Sequence, residues 1–521
     1  MGDSGIARGT SRRRTTIINL ARDYASMVLL AVQGIVLVPI YLHYIDARLY
    51  GAWLATGSIV AVLGMLDFGF FSVIVQKTAT IAGGNDYRRL GELIGTSLVI
   101  TFIIGLLPVL AASLLYTRVP AWINLEGPEA RQIANAVLIA GATTSMMLLS
   151  YGFGALFLGL QRVGVLSIQF VLSSAIGIIA TLVFLSIGWG VLSIPSGLLV
   201  QSFLLSFGHG VYLWWWIRGN LPPKSLKYRN LMFVDLFRPS IWVFVGRLSN
   251  TAATQSDNLI VAAMIDPRLT IILALTRKSS DIISTIASRI SSAFMSSLAH
   301  LSGGGELNIV RSRQFMLIIM KISLIVGIFG LGGIFLLNEV FIRLWVGQEF
   351  YGGALLTGFI CVSSFVIVLN SCLYNNIFAR GEIRVAAKAT MCEAFVRIPL
   401  SVGLCHYFGI LGVVLAGIVA MLPTSLLIQM RCFLGIVDLA WGQAFLSALV
   451  LFLKASIPVV VGLLVRMLWS PTGLAELFLF IGCYSLFGGV FYCYVDMDVR
   501  EVVTRGFGAM VARNRSALNS L

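Results

Sequence analysis

The chain has 521 residues, 58% hydrophobic and only 11% charged, and its 37 Lys and Arg outweigh 22 Asp and Glu to leave +15. Soluble domains carry about a quarter charged residues, so a mean hydropathy of +0.93 excludes a soluble enzyme, a disordered tail protein and a nucleic-acid binder, despite a pI near 9.7. The apolar segments are long and do not alternate, which excludes a β-barrel and leaves an all-α integral membrane protein.

A basic tail, 1–15, runs into an apolar stretch with no small-residue cleavage pattern, which reads as an uncleaved first helix and not a signal peptide. About twenty apolar residues cross a bilayer core as a helix, and on that rule about fourteen transmembrane helices are expected. They fall at 16–42, 50–75, 91–116, 131–160, 163–187, 190–216, 240–265, 271–299, 313–337, 353–379, 385–407, 410–431, 444–468 and 474–495. Short turns at 83–85, 188–190 and 303–305 carry the glycines. The seven cysteines lie in or beside these spans without a CxxC, so neither a metal nor a disulfide is expected.

Twenty-three cations lie in the even-to-odd connections and tails that share a side with the N-terminus. Only Arg48, Arg118, Arg131, Arg268, Arg343 and Arg466 lie on the other side. Cytoplasmic loops are the ones enriched in Lys and Arg, so both termini are expected in the cytoplasm.

Shifted by 220 residues, 45–86 aligns with 265–306 without a gap. Ile45-Asp46-Ala47-Arg48-Leu49 lies over Ile265-Asp266-Pro267-Arg268-Leu269, and Gly83-Gly84 over Gly303-Gly304. With a drift to 221, Gly188 falls on Gly409. The repeat unit holds six spans, an even number, so the halves are expected to be six-helix bundles related by a pseudo-two-fold along the membrane normal. The expected organisation is an N-lobe at 16–216, a basic cytoplasmic linker at 217–239 broken by Pro222-Pro223, and a C-lobe at 240–433. Two extra C-terminal helices at 434–495 and a basic amphipathic cytoplasmic tail at 496–521 complete the chain. The tail reads as a short helix on the anionic inner leaflet.

Ionisable side chains inside a bilayer are costly and mark functional sites. Span 7 carries Arg247, Asn250, Thr251, Thr254, Asp257 and Asn258 at helical spacing, and span 8 carries Arg277, Asp281, Ser284, Ser288 and Ser292. Span 11 carries Thr390, Glu393, Arg397 and Ser401, and span 1 carries Asn19, Arg22, Ser26 and Gln33. Such stripes imply a hydrated cavity between halves. Arg22, Arg247, Arg289, Lys321 and Arg397 lie at similar depth and form a candidate cationic cavity for a phosphorylated or carboxylated substrate, which arginine holds bidentately. Asp257, Arg277, Asp281 and Glu393 are candidates either for ion coupling or for internal salt bridges; Asp257 pairs with Arg277 in the second reading, and Arg277–Asp281 and Glu393–Arg397 are i,i+4 pairs. Asp67 is a further carboxylate of this kind. No catalytic residue, cofactor or P-loop is seen.

Tyr50-Gly51-Ala52-Trp53, Leu66-Asp67-Phe68-Gly69, Gly159-Leu160-Gln161-Arg162, the Asp257 helix and Arg380-Gly381-Glu382 follow one another in an order that resembles one group of transporters. That group is the polysaccharide-export branch of the multidrug/oligosaccharidyl-lipid/polysaccharide (MOP) superfamily, the Wzx-type O-antigen and exopolysaccharide flippases. The resemblance runs from about 16 to 495. It implies a two-lobed, fourteen-helix carrier that moves an undecaprenyl-diphosphate-linked glycan across the bacterial inner membrane for surface polysaccharide biosynthesis. The cationic cavity would then hold the diphosphate while the prenyl tail stays among membrane lipids, and polysaccharide polymerase machinery would be a partner. The alternative is a multidrug or organic-cation antiporter of the same superfamily, for which eight intramembrane cations are the wrong sign. A membrane glycan polymerase or ligase would need a larger outer loop than 117–130 provides.

Overall fold

The computed structural model describes residues 34–83, 86–160, 162–222, 225–293, 306–380 and 382–500. Most of those residues are helical, with no strand among them. The chain divides into two compact units, 1–270 and 271–521. Nine of the described helices are long and apolar enough to cross a membrane, and three shorter apolar helices lie within 34–83.

The first unit contains α1 (Gly34–Tyr44), α2 (Ala47–Leu63), α3 (Phe70–Gly83), α4 (Tyr87–Leu115), a short α5 (Arg118–Trp122) and α6 (Gly127–Gly159). It continues through α7 (Val163–Ser186), α8 (Ser193–Asn220) and α9 (Asn230–Met264). Helix α6 is the centre of the unit and packs on α2, α3, α4 and α8, while α7 packs on α8. Within a membrane the hydrophobic effect does not drive helix against helix, so close backbone approach at small residues must do so. A Cβ on Gly141 of α6 would come within 2.3 Å of Ala112 of α4, and one on Gly152 within 2.3 Å of Thr101. Between α7 and α8, Gly197 lies equally tight against Thr181. Buried Ser150 and His209 hydrogen-bond across α6 and α8 at 2.8 Å.

The division between units falls inside α10 (Pro267–Ala293). After it come α11 (Glu306–Trp345), α12 (Gly353–Ala379), α13 (Ile383–Phe408) and α14 (Ile410–Pro423), then a π-helical segment, Thr424–Met430, and α15 (Arg431–Val437). Helices α16 (Trp441–Leu468) and α17 (Leu474–Val495) close the unit. Helix α11 has 40 residues, about 60 Å at 1.5 Å per residue. It packs on α12, α16 and α17. Gly332 and Gly333 of α11 admit Val459 of α16 and Tyr484 of α17, and the Tyr484 hydroxyl donates to the Phe329 carbonyl at 3.0 Å. The two C-terminal spans thus dock on α11.

Both units reuse one internal pattern. Spans 3, 4, 5 and 6 are α4, α6, α7 and α8, and they pair as α4–α6, α6–α8 and α7–α8. The matching spans of the second half pair as α11–α12, α12–α14 and α13–α14. The repeated Ile-Asp-x-Arg sequence makes the same cap twice: Asp46 accepts from the Arg48 N–H at 2.8 Å, and Asp266 from the Arg268 N–H at 2.7 Å. Gly188 and Gly409 both adopt positive φ, +89° and +58°, at the equivalent turns.

Two features depart from the simple span reading. Helix α9 begins at Asn230, inside the expected linker, and packs on α2 and α3. The packing boundary therefore falls after α9, whereas the repeat places this helix at the head of the second half. Second, the expected span 50–75 is not one helix. It is interrupted from 64 to 69, where Phe68 and Gly69 take φ of +47° and +76°. The repeat-equivalent residues, Ala287-Ser288-Arg289, lie in uninterrupted α10. Side chains disfavour the left-handed region, so a glycine at 69 permits a break that an arginine at 289 does not.

Candidate functional site

The break between α2 and α3 puts a carboxylate where a continuous helix would have put an apolar turn. Asp67 is buried, with 4% of its side chain exposed, and it accepts from Nη1 of Arg247 on α9 at 2.9 and 3.2 Å. Arg247 keeps 43% of its side-chain surface open. The pair is thus asymmetric: a buried anion holds Nη1 of a guanidinium whose side chain stays nearly half exposed. Aromatic contacts hold α9 in register on either side of the break, Phe68 on Phe244 at 5.0 Å and Phe70 on Phe233 and Phe237 at 6.0 Å. Farther along α2, the Ser58 hydroxyl donates to the Gln255 carbonyl. Thr251 and Asp257 lie on the same helix, both buried, and the side chains of Asn250 and Thr254 lie outside the described residues.

In the second unit, Arg397 is 2% exposed and lies 3.8 Å from Glu393 one turn earlier on α13. Asn370 of α12 donates to the other carboxylate oxygen of Glu393 at 3.2 Å. Gly417 of α14 makes room for the guanidinium, since a Cβ there would stand 3.2 Å from Nη2. This network ties α12, α13 and α14 together. Lys321 of α11 meets two carboxylates just beyond α17, Asp496 at 2.5 Å and Asp498 at 2.8 Å. Its charge is therefore opposed from a segment 175 or more residues away in sequence. Arg289 and Asp281 are exposed on α10, and Arg277 is half-buried on the same helix. The other side of α10 is knitted to its neighbours, with Ser279 donating to Asn338 of α11 at 2.6 Å and Ser291 accepting from Asn375 of α12 at 2.8 Å. Arg22 and the rest of the polar stripe on the first span lie outside the described residues, as do the basic tail 1–15 and residues 501–521.

Of the five candidate cations, Arg247 and Arg289 are thus the accessible ones among the described residues, Arg397 is enclosed, and Lys321 is paired. The pairing that sequence reasoning missed is that of Asp67 with Arg247. Its signal was present: Gly64 and Gly69 bracket an aspartate in an otherwise apolar run, which is how a chain announces an interruption.

Residues 24–299 match the model of a family described as polysaccharide biosynthesis protein. No curated protein matches the chain. Among solved structures, one of the lipid II flippase MurJ in an inward closed conformation superposes with a TM-score of 0.66 at 17% identity, covering 91% of this chain and 99% of that one. An inward-facing multidrug resistance MATE family transporter of the MOP superfamily gives 0.64 at 15% identity, covering 76% and 92%. The MATE multidrug transporter DinF-BH gives 0.55 at 13% identity, covering 80% and 94%. At these identities the likeness is one of fold.

Proposed function

The chain belongs to the polysaccharide biosynthesis protein family of the MOP superfamily, a family of membrane transporters, and from that premise we propose that it flips a lipid-diphosphate-linked oligosaccharide across the bacterial inner membrane. The carrier is undecaprenyl diphosphate, the mechanism alternating access between two pseudo-symmetric lobes of a fourteen-helix protein with both termini in the cytoplasm. The polymerase machinery of a surface polysaccharide takes the product.

One observation carries this reading. Arg247 is held by a buried carboxylate at a helix break and keeps nearly half of its side chain open. Interrupted helices at membrane depth occur where they line a cavity or a binding site. A guanidinium pinned at one nitrogen presents its remaining N–H groups at a fixed angle, and that is the geometry that grips a phosphate with two bonds. The headgroup is hard to move because its hydration must be stripped, and a polar, charge-matched path lowers that cost. Arg22, beyond the described residues, is a further candidate substrate contact, and Arg289 is one in the second unit. Arg397 with Glu393 acts as an internal strut, and Asp257 is a candidate either for coupling to an ion gradient or for an internal salt bridge.

The test is complementation of a deletion strain, read as surface glycan. Arg247→Ala abolishes display with normal membrane insertion, and Arg247→Lys restores only part of it. Full display from Arg247→Ala would sink the proposal.

A further inference from the structure

An exposed apolar groove in the first unit lies apart from the Arg247 site. Its walls are α4 and α8 and its floor is α6, with Phe102, Phe153, Phe203, Phe207, Gly210 and Trp214 among its lining, and its volume is about 430 Å³. Phe203, Phe207, Val211 and Trp214 follow each other at spacings of four, four and three, so one stripe of α8 forms a wall, and each of the four is about half or more exposed. From Phe203 to Trp214 that wall is roughly 16 Å long at 1.5 Å per residue. This is about half of the ~30 Å hydrocarbon core, the depth of a single leaflet.

The groove ends on charge. One turn past Trp214, Arg218 lies with its guanidinium carbon 3.8 Å from the Trp214 ring centroid. From α8 the chain then crosses to α4. Ser225 sits on Gly91 and the Lys227 backbone on Gly95, so close that a Cβ at either glycine would fall within 2.8 Å of it. The crossing is fixed by the Arg229 N–H donating to Thr96 at 3.1 Å and by the Arg229–Glu92 ion pair at 3.1 Å. Gly95 is seven residues before Phe102 and so on the same face of α4. The strap therefore bounds the groove at its basic end, where the side chains of Arg218 and Lys227 are exposed.

An apolar slot one leaflet deep that terminates in a tryptophan and two exposed cations has the chemistry of a single lipid with a negative head. We infer that this groove is a binding site for an anionic glycerophospholipid, one acyl chain lying between α4 and α8 and the phosphate meeting Arg218 and Lys227. The site stands independently of which substrate Arg247 holds.

The test uses the full chain in nanodiscs with phosphatidylglycerol carrying a photoactivatable group in one acyl chain, and the phosphatidylcholine analogue as control. Adducts are mapped by peptide mass spectrometry. The phosphatidylglycerol probe labels the α8 segment 203–214 and the Phe102 segment in preference to the control, by roughly fivefold for each basic side chain that meets the headgroup. Arg218→Gln with Lys227→Gln, both at the surface, brings labelling down to the control level. Gly210→Leu, whose Cβ meets Phe153 only at an ordinary 3.4 Å, fills the slot and removes labelling there by both probes. Equal labelling by both probes in the unaltered protein overturns the assignment, and so does unchanged labelling in Gly210→Leu. Displacement of the phosphatidylglycerol adducts by undecaprenyl phosphate, and not by unlabelled phosphatidylglycerol, would give the groove to a prenyl chain and overturn it as well.

Discussion

Removing either member of the Asp67–Arg247 pair should have unequal consequences, because the two ends differ in burial. Exposed ion pairs are worth about 0.2–1 kcal/mol, and breaking a fully buried one costs about 3–5 kcal/mol. Here the carboxylate is 4% exposed, the guanidinium 43%, and the contact 2.9 Å. Arg247→Gln strands a buried anion, at a cost of about 2–3 kcal/mol, in the range for a hydrogen bond to a charged group. Asp67→Asn releases a cation that water can reach, and costs about 1 kcal/mol, nearer the exposed limit. The assay is reversible unfolding in mixed micelles of a mild and a denaturing detergent, run as a double-mutant cycle. The coupling energy should be about 1 kcal/mol, set by the half-open geometry between those two limits. Transport should separate the roles: Arg247→Lys keeps most of the stability and loses much of the glycan display, since a point charge satisfies Asp67 but not a bidentate phosphate. A coupling energy indistinguishable from zero, or equal costs for the two single changes, would refute the reasoning.

Three further outcomes follow from the packing. Gly69→Val forces a β-branched residue to φ +76° and should cost about 1–2 kcal/mol or more, with weakened docking of α9, whereas Gly57→Ala, with open space around it, should be neutral in the same unfolding assay. Gly141→Leu drives a side chain into Ala112 and should lower stability by about 1–3 kcal/mol, a loss that hydrogen exchange should localise to α4 and α6. Lys321→Met leaves Asp496 and Asp498 facing each other and should loosen the end of α17, while Lys321→Met combined with Asp496→Asn and Asp498→Asn should recover most of the loss; limited proteolysis near 496–500 reads both.

Much of the fold is written in local chemistry. Transfer of a helix into a bilayer is a sum over consecutive side chains, so α4, α6, α7, α8, α12, α16 and α17 stand within a few residues of the segments expected from hydropathy. The Ile-Asp-x-Arg repeat likewise announces its own cap, because an aspartate two residues before an N–H satisfies it wherever the chain goes next. The family-bearing order of short motifs is also a property of the linear chain.

Tertiary structure decided which cations are open and which are answered. Arg247 finds its carboxylate 180 residues away across a helix break, Lys321 finds two beyond α17, and Arg397 is enclosed by Glu393, Asn370 and Gly417 from three helices. A helical wheel showed Glu393 beside Arg397 but no partner for Arg247 or Lys321, because charge compensation depends on atoms brought within about 4 Å and the wheel records only neighbours on the same helix. The same holds for α9, whose place in the repeat follows from the sequence but whose packing on α2 and α3 follows from the surfaces it meets. Composition therefore established a positively charged membrane protein, and folding determined that Arg247 is held by Asp67 and yet keeps nearly half of its side chain open.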